Sequence, residues 1–435
     1  MNAHECQSAK KGVSIMAANL FIRRSLSRYS LLIVSLLTLV GILSGCGASS
    51  TAVTSHPTGS TPTSTPIKEF KGTISEFPLP TPNFYPGGLL AGPDGNLWFT
   101  ETVSNGCQSG KIGRITPEGK VSEFLLSSDS EAGGITTGPD SNLWFIESAC
   151  AKGQNSKIGR ITVSGTISEF SLSSNSNPSE ITTGRDHALW FTEFGNNIQN
   201  DKIGRITTSG TISEFPLPTP HFYPYGITAG PDENLWFIES DANNKNFKIG
   251  RITTAGSISE FTVPATLSQL SSITTGSDGN LWFVALDYSK FRGVIGRITP
   301  TGTISQFPLH TPSYHSYAIT NGSDGNLWFS EADLDGWHNR IGRITPSGTI
   351  SEFPVPELIS SVYGIIAGSD GNLWFIDDPA NHSQNNSRIG RITPTGKISE
   401  FPMPNSLTVP GGITNGPDGK IWFTEINSNK IGRLD

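Results

Sequence analysis

Gly226-Ile227-Thr228-Ala229, Leu235-Trp236-Phe237-Ile238, Ile249-Gly250-Arg251-Ile252 and Ser257-Ile258-Ser259-Glu260-Phe261 are four short apolar runs that follow one another along the chain. Each has the length of a strand, is rich in β-branched and aromatic side chains, and is bounded by Gly, Pro, Asp or Ser. In the sister copies of this unit, Pro-Asp-Gly and Pro-Ser-Gly type turns join the first pair and the last pair, which is the chemistry of tight reversals. The unit therefore reads as a four-stranded antiparallel sheet, with nothing in it that suggests a helix.

The unit recurs from residue 73 onward, and Trp98, Trp144, Trp190, Trp236, Trp282, Trp328, Trp374 and Trp422 mark it. Six of the intervals are 46 residues and the last is 48. Four strands per repeat of roughly 40 to 50 residues is the arithmetic of a β-propeller, in which each sheet buries both faces against its neighbours. The prediction is an all-β fold, an eight-bladed β-propeller of four-stranded antiparallel blades over residues 69–435. The last unit reaches Ile431-Gly432-Arg433-Leu434 without an outer strand, whereas Thr73-Ile74-Ser75-Glu76-Phe77 precedes the first full unit. The N-terminal strand is thus expected to complete the last blade, closing the ring and removing a sheet edge. The loops entering the first strand and leaving the second share one rim, here called the top.

Composition agrees with turn-rich β structure, at 48 Gly, 29 Pro and 15% charged residues. A net charge of -7 without an offsetting basic patch argues against a nucleic-acid partner. Residues 1–46 read as a lipoprotein signal segment. Arg23, Arg24 and Arg28 form its basic region, Leu31 to Leu43 its apolar stretch, and Leu43-Ser44-Gly45-Cys46 looks like a bacterial lipobox. Lipidation at Cys46 would anchor the exported protein to the outer face of the cell membrane. The alternative is an uncleaved membrane anchor. Arg23-Arg24-Ser25-Leu26 also resembles a twin-arginine signal, and Met16 is a second possible start. Residues 47–68 are a Ser/Thr/Pro-rich tether with almost no large apolar side chain.

Two charged positions recur in nearly every copy. Three residues after each Trp stand Glu101, Glu147, Glu193, Glu239, Ala285, Glu331, Asp377 and Glu425. The next strand opens on Lys111, Lys157, Lys202, Lys248, Val294, Arg340, Arg388 and Lys430. Both charges disappear together in blade five, as cross-strand ion pairing predicts and a metal or catalytic ring does not. The arginines from Arg114 to Arg433 and the turn aspartates from Asp94 to Asp418 occur in every blade and are read as scaffold.

Gly226-Ile227-Thr228, Gly92-Pro93-Asp94-Gly95-Asn96-Leu97-Trp98-Phe99-Thr100-Glu101, Lys202-Ile203-Gly204-Arg205-Ile206-Thr207 and Ile212-Ser213-Glu214-Phe215-Pro216-Leu217-Pro218 together resemble the streptogramin B lyases, also called virginiamycin B lyases. The resemblance covers residues 73–435. It implies a propeller, seven-bladed in that family, that opens a cyclic depsipeptide by Mg²⁺-dependent elimination, a carbon–oxygen lyase reaction. It further implies two catalytic histidines, each just before the Gly/Ala-Ile of an inner strand, and two glutamates. At the histidine position this chain has Gly87, Gly133, Ser179, Tyr225, Ser271, Tyr317, Tyr363 and Gly411. For the glutamates it offers Glu131 in blade two and Asp378 in blade seven.

Function is sought where the repeat breaks. From Trp to the basic position the distance is 12 to 14 residues in blades one to seven but 8 in blade eight, so seven top loops are lengthened. Aromatic residues gather on that rim, and Tyr225, Tyr317, Trp337 and Tyr363 are the candidate ligand-binding residues. His315 and His338, with Asp378, form the candidate base or metal site, and His310 and His382 lie near them in the sequence. Cys107 and Cys150, in the top loops of adjacent blades, are expected to form a disulfide in an exported protein. Two functions follow. The first is a monomeric propeller binding a small molecule, glycan or peptide on its top rim. The second is a lyase of the virginiamycin B lyase type with a relocated site, requiring Mg²⁺.

Overall fold

The structure, a computed structural model, describes residues 72–435 apart from the segments 104–108, 128–129, 151–153, 175, 196–200, 311–313, 334–338, 357–360, 379–386 and 406–407. Among the described residues all regular structure is β, in 32 strands that form eight four-stranded antiparallel sheets. In seven sheets the strands lie side by side in chain order, as in blade four with Phe222–Ala229, Leu235–Asp241, Phe247–Ile252 and Ile258–Thr262. The eighth takes its outer strand from the start of the propeller. Ile74–Pro78 pairs with Lys430–Leu434, register Ile74↔Leu434 to Pro78↔Lys430. The eight-bladed ring and its closure are as the repeat predicted.

The recurring residues explain why each unit folds alike. Trp236 is fully buried, and its Nε1 donates to Asp232 Oδ1 (2.8 Å) in the turn that precedes it. Gly230 opens that turn, where a Cβ would lie 2.3 Å from the indole, so the ring's approach requires glycine. Trp236 stacks on Phe261 of the outer strand at 5.5 Å between centroids, and the Arg251 guanidinium lies 5.7 Å from both rings. Arg251 also donates to the carbonyl of Pro300 in the next blade (2.9 Å). The recurring arginine thus staples neighbours, and Arg433 donating to Pro117 O (2.7 Å) makes that link across the ring closure.

The core lies between blades. Trp190 and Ile203 of blade three pack with Ile227, Leu235, Phe237 and Ile252 of blade four, and equivalent clusters repeat round the ring. Leu235, Trp236, Phe237 and Ile238 are all fully buried because both faces of the second strand meet a neighbouring sheet.

Candidate functional site

Every inner strand departs from regular pairing at one height. The register against the second strand shifts between Pro86 and Leu89, Ala132 and Ile135, Pro178 and Ile181, and Tyr225 and Thr228. The other four blades shift between Ser268 and Ser272, Ser316 and Ile319, Tyr363 and Ile365, and Pro410 and Ile413. These bulges coincide with the positions picked out in the sequence from Gly87 to Gly411. A bulge re-aims a side chain and leaves a backbone N–H outside the ladder. In four blades a hydroxyl on the second strand accepts that N–H: Gly88 to Thr100 (3.1 Å), Glu180 to Thr192 (3.2 Å), Ala318 to Ser330 (3.3 Å) and Gly412 to Thr424 (2.8 Å). In blades two, four, five and seven the same position is Ile146, Ile238, Val284 or Ile376, which has no hydroxyl.

Two of the candidate tyrosines are tied into the scaffold by their hydroxyls. Tyr225 donates to Leu270 O of blade five (2.7 Å), and Tyr363 donates to Asp378 Oδ2 (3.2 Å). Burial pushes both phenols well above the usual tyrosine range, aided by the charge of Glu180 beside Tyr225 and of Asp378 beside Tyr363. Asp378 is itself buried, with Oδ1 receiving Ser387 Oγ (2.6 Å). Tyr317 keeps 41% of its surface exposed. His315 lies on the strand Tyr314–Asn321 opposite Ala332, and its side chain is outside the described residues, as are Trp337, His338, His382, Cys46 and Cys107. Cys150 follows the strand Leu143–Ala149, at the foot of its lengthened loop. The sequence reading passed over Glu180, although the seven other blades carry Gly88, Gly134, Gly226, Ser272, Ala318, Gly364 and Gly412 at its position. A lone carboxylate among Gly, Ala and Ser was the available signal. Glu180 is half-buried, and desolvation by burial raises its pKa, an effect only partly offset by the backbone of Gly226 and Ile227 in the next blade.

The recurring charges form rows of three. Glu239 and Lys248 face each other in register, as expected, but the partner Lys248 chooses is Glu260 on the outer strand. The same choice gives Lys111–Glu123 at 2.6 Å, Lys157–Glu169 at 2.6 Å, Lys202–Glu214 at 2.7 Å, Arg340–Glu352 at 2.8 Å and Lys430–Glu76 at 2.6 Å. Lys157 is 4.0 Å from Glu147, whereas Arg388 comes within 3.3 Å of its second-strand acid, Asp377. The simple cross-strand pair is therefore corrected to acid–base–acid. The second-strand acid is fully buried, and burial, with the outer carboxylate adding to it, pushes Glu101 and Glu239 up to about 8 and Glu147 and Glu425 to about 7. In blade five all three members change together, to Ala285, Val294 and Gln306.

A magnesium ion takes oxygen donors in near-octahedral geometry. Among the described residues no three His, Cys, Asp or Glu side chains converge to offer such a set. Glu131 and Asp378 lie in different blades, and both Asp378 oxygens are engaged by Tyr363 and Ser387. The described residues do not fit the family's metal.

Among curated proteins none matches the chain. Solved structures do. A catalytically inactive histidine-to-alanine virginiamycin B lyase from Staphylococcus aureus, with quinupristin, is 31% identical over 84% of this chain and 99% of its own, at a TM-score of 0.54. A streptogramin B lyase structure is 30% identical over 84% of this chain and 97% of its own, at a TM-score of 0.52. A selenomethionine-substituted virginiamycin B lyase from Staphylococcus aureus is 36% identical over 72% and 97%, at 0.53. The family model described as "Virginiamycin B lyase family" matches residues 67–198, 106–288, 196–383 and 288–435. With the blade phrases, the fold and these matches in agreement, the chain belongs to the virginiamycin B lyase family.

Proposed function

We propose that the protein is an exported, lipid-anchored propeller that binds a small molecule, glycan or peptide at the top of its channel and does not catalyse elimination. The observation that carries this is the content of the bulges. None of the eight positions holds a histidine, three hold tyrosine, and the hydroxyls of Tyr225 and Tyr363 are held by Leu270 and Asp378. An elimination needs a base within hydrogen-bond reach of the proton it removes. Rings fixed by their hydroxyls instead offer flat faces at little entropic cost, suited to stacking on a ligand. Export and anchoring rest on the lipobox ending in Cys46.

The test is direct. Quinupristin titrated into the purified protein should raise its thermal midpoint while mass spectrometry finds the ring intact, with and without Mg²⁺. Ring opening would overturn the binding-only reading.

Family membership favours a second reading, a lyase with a relocated site at His315, His338 and Asp378. Turnover lost in both His315→Ala and His338→Ala would establish it. Absence of turnover, or turnover surviving both, would exclude it.

A further inference from the structure

The top hairpin of blade five is set apart by what it exposes. It joins the strands Leu281–Asp287 and Arg292–Ile298 through Tyr288, Ser289, Lys290 and Phe291. Tyr288 is 38% and Phe291 40% exposed, and their rings lie together at 5.3 Å between centroids and 43° between planes. Among the described residues the exposed aromatic side chains are these two and Tyr317, all on the top rim of blades five and six. Phe291 has a φ of +48°, and no other described residue at positive φ carries a large apolar side chain. The blade-four hairpin, closed by Asp241 and Asn246 around four residues as well, puts Asn244 at its left-handed position (φ +51°). A left-handed backbone is strained under a bulky side chain. Core packing does not explain the strain, because the ring it positions is exposed, and an outlier of this kind points to function.

The hairpin is also held in place. Asp287 Oδ1 accepts from Ser289 N (3.1 Å) and Ser289 Oγ (2.6 Å), and its Oδ2 pairs with Lys290 Nζ (3.2 Å). The Tyr288 N–H donates to Thr266 O (3.3 Å), and Arg292 donates to His310 O (3.2 Å). Rings fixed in this way lose little entropy on meeting a partner. The tip is convex, with all four of its residues exposed. A small molecule needs a concave site, and a peptide needs a groove or an open sheet edge. Here both hairpin strands are paired on either side. The chain enters the propeller at Ile74, and antiparallel order starts that outer strand on the bottom rim, so an anchor N-terminal to it holds the tip away from the membrane. A sugar chain needs only aromatic faces, on which its C–H groups pack, and polar side chains beside them. Ser289, Lys290 and His310, all exposed, supply the second.

We propose that the blade-five hairpin is a glycan-binding site, in which Tyr288 and Phe291 pack on the sugar units of a linear polysaccharide. The site rests on the ligand-binding reading above and deepens it, giving one of its ligand classes, the glycan, a contact on the rim outside the bulges.

The probes are cellohexaose, chitohexaose and maltohexaose, titrated into the purified full-length protein and followed by ligand-observed NMR. At least one should bind, and its affinity should fall about tenfold in Tyr288→Ala and in Phe291→Asn. Phe291→Asn gives the left-handed position the residue type that blade four uses, so its thermal midpoint should equal or exceed that of the native protein. Its loss of binding is then not a loss of fold. Binding of none of the three, or binding unchanged in either variant, overturns the proposal. Co-sedimentation with phosphatidylglycerol vesicles that is lost in Phe291→Asn, without hexasaccharide binding, assigns the tip to a membrane and overturns it as well. Each of these failures leaves the wider binding reading standing, and that reading is settled separately by the quinupristin titration.

Discussion

Blade four and blade five pair their second, third and outer strands in the same register but fill one row of that register with different side chains. Blade four carries Glu239, Lys248 and Glu260 across its second, third and outer strands, and blade five carries Ala285, Val294 and Gln306 at the same register. Around the blade-five row the apolar cluster extends to Phe247, Val263, Leu267 and Leu270. The same fold thus tolerates a buried acid–base–acid row or an apolar one, but each blade has changed as a unit. That is the behaviour of a scaffold, in which a charge out of water is tolerable only beside its partners.

The sharpest way to break this comparison is to remove one member. Lys248→Met leaves Glu239 and Glu260 without their cation and should cost about 3–5 kcal/mol in urea unfolding. Copying blade five in full, with Glu239→Ala, Lys248→Val and Glu260→Gln together, should recover most of that loss. A triple variant as unstable as the single one would show that the row is not interchangeable. The reverse experiment, Ala285→Glu alone, places a carboxylate among apolar neighbours and should cost about 3 kcal/mol.

Next in size is the dependence on pH. Glu101 and Glu239, pushed up to about 8, and Glu147, Glu193 and Glu425, at about 7, hold protons in the folded ring that the unfolded chain has already lost. Their stabilising contribution is complete below the ordinary carboxylate pKa near 4.5 and is lost as pH rises through 7 to 8. The outer Glu123, Glu169, Glu214 and Glu260, held low by their lysines and by hydroxyl or backbone donors, run the other way and lose their contribution only on acidification. The thermal midpoint should therefore fall from pH 5.5 to 9, and Glu239→Gln should lessen that fall by about 2–4 °C. An unchanged slope in Glu239→Gln would mean that the buried acid is not the titrating group.

The smallest effect concerns the bulges. Thr424→Val removes the acceptor of the Gly412 N–H and should cost about 1 kcal/mol. The equivalent Ile238→Val, in a blade without a hydroxyl, removes only a methylene and tests whether the cost belongs to the hydrogen bond.

Much of this was legible in the sequence because a repeat is its own control. The period, the strand count, the ring closure by Ile74–Pro78 and the scaffold role of the arginines all follow from comparing copies, since residues that pack the same neighbour eight times must recur. The charge row was half legible. Joint loss at Ala285 and Val294 revealed coupling, but the lysine's choice of Glu260 over Glu239 depends on which carboxylate its chain reaches, and sequence register does not encode that. Glu180 was visible as an exception yet carried no meaning alone.

The sequence by itself therefore determined the architecture, because hydrophobic period and turn chemistry act locally and repeat. Only the tertiary structure decided the character of the mouth. The Tyr225 and Tyr363 hydroxyls find partners in a neighbouring blade and across the strand pair, and burial against the next blade raises the pKa of Glu180. The contact between Tyr225 and Leu270 exists only once the ring has set neighbouring blades side by side, and its acceptor, a backbone carbonyl that every residue type carries, leaves no mark in the sequence.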